Sequence, residues 1–239
     1  MASAATTGAS PSLELIATAA AGTEAVVKRE LAALGYAART VMPGRLLFRG
    51  DPIAICRANL WLRTGERVLI HMGSFAASDF GALFDGTAAL PWEQWLPWDA
   101  EFPVQGRSHR SQLSSVPACQ RIVKRAIVKR LQGALDAEHL PETGPRCPIE
   151  VSLRDDVAML TLDTTGVGLH KRGYRRLVGE AQLRETLAAA MVQLSFWRPG
   201  RVLCDPFRST YSSHKRDPRD TASSTSAGNT RAEAPRLFP

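Results

Sequence analysis

With 239 residues, 44% hydrophobic and 22% charged, the chain has enough apolar material for a sizeable core, which excludes wholesale disorder and predicts one large or two small domains at about 150 residues each. No run approaches the roughly 18 apolar residues of a membrane span, the opening MASAATTGASPS lacks a secretion signal, and Cys56, Cys119, Cys147 and Cys204 form no CxxC pair; a soluble cytoplasmic protein with reduced thiols, no bound metal and no membrane partner is expected. The formal charge of +7 divides into −2 over 1–106, +6 over 107–207 and +3 over 208–239, so the basic character begins at Arg107 and points to a polyanion-binding middle third.

Residues 13–18 read as a short strand, and Thr23 as the cap of a helix whose Val26, Val27, Leu31 and Leu34 recur at helical spacing before Gly35 ends it. Residues 45–49 read as a second strand, and Asp51-Pro52, a cap followed by a first-turn proline, opens a helix through Ile55 and Leu60. Strand, helix, strand, helix predicts a small α/β unit. A strand at 67–72, a helix at 80–90 and a strand at 102–105 follow, with Trp92, Trp95 and Trp98 before the last; these rings are expected in packing rather than in base stacking. Ser114-Ser115-Val116-Pro117 launches a helix to about Gly133 with Ile122, Ala126, Ile127 and Leu131 on one stripe. Segments 149–154 and 157–163 alternate around Asp155-Asp156 as a hairpin. A glycine-punctuated basic stretch, the helix LRETLAAAMVQLSFW and the apolar strand RVLCDPF come next. From Arg208 onward Ser, Thr, Arg and Pro displace aliphatic residues, and this tail is expected to be disordered.

Between Gly106 and Arg130 lie seven cations, Arg107, Arg110, Arg121, Lys124, Arg125, Lys129 and Arg130, and no Asp or Glu. A solvated helix usually mixes signs, so the run reads as a phosphate-binding face. Ser114, at the head of the helix, adds a hydroxyl beside backbone N–H groups at the positive end of the helix dipole. Such contacts position a nucleic acid without reading its sequence. A second cluster, His170-Lys171-Arg172-Gly173-Tyr174-Arg175-Arg176, offers cations and a ring for a phosphate and a base, or a basic interdomain linker. Asp205-Pro206-Phe207 would open a nucleotide site if a glycine-rich turn followed, and Arg208-Ser209-Thr210 supplies none. Neither paired carboxylates, a Ser/His/Asp order nor a P-loop stands out, so no catalytic residue is assigned.

Four blocks in order, FPVQGRSHRSQLSSVPACQRIVKRAIVKRL at 102–131, LDTTGVGLHKRGYR at 162–175, LRETLAAAM at 183–191 and DPF at 205–207, resemble the amino-terminal part of the bacterial THUMP-domain RNA methyltransferases. The resemblance is to the group that methylates the exocyclic amine of guanine in large-subunit ribosomal RNA with S-adenosylmethionine. It implies an α/β (α+β) architecture: a disordered 1–11, a ferredoxin-like unit at 12–57, a THUMP-like RNA-binding domain at 58–168, the start of a Rossmann-like methyltransferase domain at 169–207 and a basic tail at 208–239. Arg121, Lys124 and Arg125 match the THUMP block, and Lys171, Arg172, Tyr174 and Arg175 the entry to the catalytic domain. Asp205, Pro206 and Phe207 match the start of the cofactor motif, whose Cys-Gly-Ser-Gly-Thr continuation is not in this sequence. The resemblance therefore implies a chain that binds structured, ribosomal RNA, with a catalytic domain truncated after Phe207 and S-adenosylmethionine not bound by this chain alone. An enzyme completed by a separate polypeptide and a nonfunctional frameshifted fragment are the alternatives.

Overall fold

The computed structural model describes residues 12–173, 183–198 and 200–202. The expected disordered ends, Tyr174, Arg175, Asp205, Pro206 and Phe207, and most of the strand expected over 201–207 lie outside them.

β1 (Leu13–Ala19) points Leu15, Ala17 and Ala19 to one face of a sheet and Ile16 to the other. α1 (Glu24–Ala33) buries Val26, Val27 and Leu31 and ends at Gly35 with φ +89°. Thr23 does not cap it as expected; its hydroxyl donates back to the Ala20 carbonyl at 2.8 Å. β2 (Ala38–Met42) is a strand the sequence pattern does not show: it is an edge strand with Arg39 and Thr40 exposed. It turns through Pro43-Gly44 into β3 (Arg45–Gly50). Gly44 has φ +74°, and a Cβ there would sit 2.9 Å from the Ala19 carbonyl oxygen, so a side chain is excluded. α2 (Pro52–Trp61) begins as expected, the Asp51 carboxylate accepting from the Ala54 amide at 2.8 Å.

β4 (Gly65–Ala76) is 12 residues long, well beyond the segment expected. Residues Gly65 to Ile70 pair with β1, and Leu69 to Ala76 with β7 (Val157–Asp163), so one strand serves both halves of the chain. The result is a single seven-stranded sheet in the order β2-β3-β1-β4-β7-β6-β5. All pairs are antiparallel except β5 (Val104–His109) with β6 (Ile149–Arg154). A parallel pair needs a long crossover, and α4 (Val116–Leu135), 20 residues, provides it. α3 (Phe80–Ala88) approaches β4 so closely that a Cβ on Gly86 would lie 2.3 Å from the Phe75 ring. The β6–β7 hairpin turns at Asp155 and Asp156, φ +50° and +59°, the left-handed pair that a two-residue hairpin turn requires. α5 (Glu185–Leu194) is shorter than the 183–197 expected.

The buried residues of α1 to α4 and one sheet face form the main core, from Val27 and Leu31 through Ala54, Ala58 and Leu83 to Val123, Ile127 and Leu131. The opposite face carries a small apolar cluster, Ile16, Leu47 and Leu69, with Val41 and Met159 against it. That face is concave. Arg45 on β3 and Glu150 on β6 are four strands apart, about 19 Å on a flat sheet at ~4.8 Å per strand. Yet Arg45 Nη2 donates to both Glu150 carboxylate oxygens at 2.6 Å, so the sheet curls across its helix-free side.

Candidate nucleic-acid interface

The sequence-predicted basic helix is α4, and packing divides its cations into two groups. Cys119, Val123, Ala126, Ile127 and Leu131 face the sheet. Lys124 donates to Glu142 at 2.7 Å and lies over the Phe102 ring at 5.1 Å. Lys129 sits 5.4 Å over Phe84 of α3, and Arg130 donates to Glu93 at 2.6 and 3.0 Å, holding that carboxyl below the usual range. Arg107, on β5, is bound to Glu150. Arg110, Arg121 and Arg125 remain exposed with no ion-pair partner among the described residues. Arg121 and Arg125 are one turn apart on the outward stripe.

The head of α4 lies at the carboxyl ends of the parallel strands β5 and β6, where anions bind in α/β units because helix N-termini and strand ends converge there. Ser114 is exposed, Ser115 makes no capping bond to the helix, and Pro117 has no N–H, so the first-turn amides are uncapped by any side chain among the described residues. The preceding loop is held rigidly. Asp156, at the hairpin tip, accepts from the Gln112 amide at 2.7 Å and from Gln112 Nε2 at 3.1 Å, and its own amide donates to Ser111 Oγ at 3.1 Å. Arg110 adopts φ +51° in this loop. Sequence reading misses two further residues: the parallel register sets His109 beside Arg154, both exposed. His109 adjoins Arg110 in the sequence, and the strand pairing is what brings Arg154 beside them.

The second basic cluster is used differently. Lys171 is exposed, but Arg172 is turned inward: its guanidinium donates to the carbonyls of Asn59, Leu60 and Leu62 at 2.6–2.7 Å and satisfies the carboxyl end of α2. Just upstream, Thr164 and Thr165 bond Asn59 and the Val68 backbone, and Asp163 pairs with Arg67. This stretch fastens α2, β4 and β7 together. Of the tryptophans, Trp92 is buried with Nε1 donating to the Thr87 carbonyl at 2.8 Å, Trp95 packs against the core, and Trp98 is 64% exposed. Burial pushes the Cys119 and Cys147 thiols up. Among the described residues no His, Cys, Asp or Glu group is arranged to hold a metal, and no helix is long and apolar enough to cross a membrane.

Comparison with known proteins agrees with this architecture. Residues 14–69 match the RlmL ferredoxin-like domain, 77–163 the THUMP domain, and 172–210 the RMKL-like methyltransferase domain. The chain is 51% identical over 195 residues to YpsC of Bacillus subtilis (strain 168), classed provisionally as an RNA methyltransferase, covering 81% of this chain and 50% of that protein. A crystal structure from Listeria monocytogenes str. 4b F2365, titled by prediction as an N6-adenine-specific DNA methylase, superposes with TM-score 0.77 at 52% identity, covering 80% of this chain and 50% of the other. A methyltransferase structure, SMU.472 complexed with SAH, gives 0.75 at 45% identity, over 81% and 51%.

The fold and the basic helix thus define a protein built of a ferredoxin-like and a THUMP domain followed by the opening of a methyltransferase domain. Over residues 14–210 it resembles the amino-terminal part of the THUMP-domain RNA methyltransferases, and it spans about half the length of the relatives it matches.

Proposed function

We propose that this chain binds structured RNA, with ribosomal RNA as its target, and holds it for methyl transfer to guanine. The observation that carries this reading is the uncapped head of α4 at the ends of β5 and β6, with Arg110 in the loop before it and Arg121 and Arg125 along the helix behind it, all three free of acidic partners among the described residues. Ser114 and Lys171 extend the surface. Lys124, Lys129 and Arg107 contribute their remaining N–H groups, whereas Arg172 acts by holding the segment that leads to Tyr174 and Arg175. RNA is favoured over DNA by the THUMP match and by the naming of the Bacillus protein.

S-adenosylmethionine would supply the methyl group. Among the described residues, Glu185 Oε2 and Thr186 Oγ1 at the head of α5 are buried without hydrogen-bond partners, and they fit the polar end of such a cofactor. Asp205, Pro206 and Phe207 belong to the same reading. The glycine loop that would follow them is not in this sequence, so we infer that methyl transfer needs a catalytic body beyond the matched residues, as a continuation or as a separate polypeptide. Salt-titrated binding of a structured ribosomal RNA fragment tests the RNA reading. Charge reversal at both Arg121 and Arg125 is expected to weaken affinity and to lower the salt slope by about one for each phosphate no longer neutralised. Both residues are exposed, so folding should survive, and unchanged affinity would overturn the assignment.

A further inference from the structure

The concave, helix-free face holds a cluster of charge of which the α4 surface shares only Arg107. Two guanidiniums share one carboxylate there: Arg45 through Nη2, and Arg107 through Nε and Nη2, both on Glu150. One positive charge is left over. Arg45 is only 4% exposed, and its Nη1 is buried with no hydrogen-bond partner among the described residues. The Oγ1 of Thr161, a residue 1% exposed, is buried without a partner as well. The β6–β7 register places Thr161 directly opposite Glu150, where paired Cβ atoms lie about 4.5–5.5 Å apart. The orphaned hydroxyl therefore sits on the strand next to the stem of Glu150, whose carboxylate anchors both arginines. His71, on the other side of Thr161 in the β4–β7 register, is already occupied by Glu14 and Ser74.

A buried charged donor without a partner is costly, so the site calls for an acceptor. The occupant must accept from a guanidinium N–H and a hydroxyl and also balance the surplus charge, which a water does not. A tetrahedral oxyanion meets both conditions, since arginine N–H groups and hydroxyls match its oxygens. Arg107, 56% exposed, and Glu150, 24% exposed, form the rim.

We propose that the concave sheet face carries a phosphate-group site, floored by Arg45 and Thr161 and closed at the rim by Arg107. The phosphate is either free or a phosphodiester of bound RNA; the second source rests on the RNA-binding reading above, the site itself does not.

The test uses the full chain and inorganic phosphate as the probe. A ligand that binds only the folded state raises the melting temperature by mass action. At constant ionic strength, replacing chloride with phosphate is expected to raise Tm in the unsubstituted protein, and by less than half as much in R107Q and in T161V. The first substitution is at a half-exposed side chain and the second is nearly isosteric, so each has its own chloride baseline. Equal increments in all three proteins, or no increment in any, overturn the proposal. Charge reversal at Arg121 and Arg125 should leave the phosphate increment intact, which keeps this outcome separate from failure of the α4 surface. If the phosphate belongs to RNA, T161V, which leaves every cation of the α4 surface in place, also weakens RNA binding; if it is free, RNA binding by T161V is unchanged while the phosphate increment still falls.

Discussion

Asp156 shows how a single side chain can organise the basic surface at the head of α4 from behind it. Its carboxylate takes both the amide and the side-chain nitrogen of Gln112, and so fixes the loop that carries Arg110 and leads into α4. Replacing it with alanine removes both bonds and leaves a non-glycine residue at φ +59°. The expected cost is about 1–2 kcal/mol of stability, read by denaturant unfolding. By charge alone, losing an acidic group beside three arginines should tighten RNA binding. The positioning role predicts the opposite, several-fold weaker binding in the same salt titration, and tighter binding would show that loop order does not matter. The cations around this loop are legible in the sequence as an unbroken basic run. Their division is not, because the acids that occupy Lys124, Arg130 and Arg107 lie 18, 37 and 43 residues away and reach them only through the fold.

At the scale of elements, periodicity serves well where one face is buried and the phase is unbroken: α1, α2, α4 and the β6–β7 hairpin all lie where the pattern puts them. β4 escapes because the bulge between His71 and Gly73 shifts the alternation midway, so its second half falls out of step with its first. β2 escapes because an edge strand with two exposed polar residues carries little apolar signal. α3 is a helix whose placement depends on an absent side chain. With a Cβ at Gly86 only 2.3 Å from the Phe75 ring, Gly86→Ala must displace either the ring or the helix. It is expected to destabilise the protein by about 1–3 kcal/mol in chemical denaturation, as overpacking typically does, despite the better helix propensity of alanine. Because Lys129 of α4 rests on Phe84 of α3, amide exchange in α4 should quicken as well. Unchanged stability would mean that Phe75 swings clear at no cost.

For the whole molecule, what matters is that the ferredoxin-like and THUMP halves share β4 and therefore one sheet, so the orientation of the α4 surface depends on how that sheet curls. The apolar cluster in the concavity is small, with three buried residues, and the contact that spans the curl is Arg45 with Glu150. This pair also explains why composition reveals surplus charge but no architecture: an ion pair across four strands leaves no trace in local sequence. Removing one partner should be far worse than removing both. Glu150→Gln leaves the buried Arg45 uncompensated and is expected to cost about 3–5 kcal/mol, whereas Arg45→Met with Glu150→Leu, which deletes both charges and keeps the volume, should stay within about 1–2 kcal/mol of the starting protein. If the clasp sets the curl, the double variant will fold stably yet open. Spin labels at the exposed positions Thr40 on β2 and Gln105 on β5 would then move apart by about one strand spacing, ~5 Å. An unchanged label distance in a stable double variant would instead assign the curl to the β-bulges and to the helices packed on the convex side.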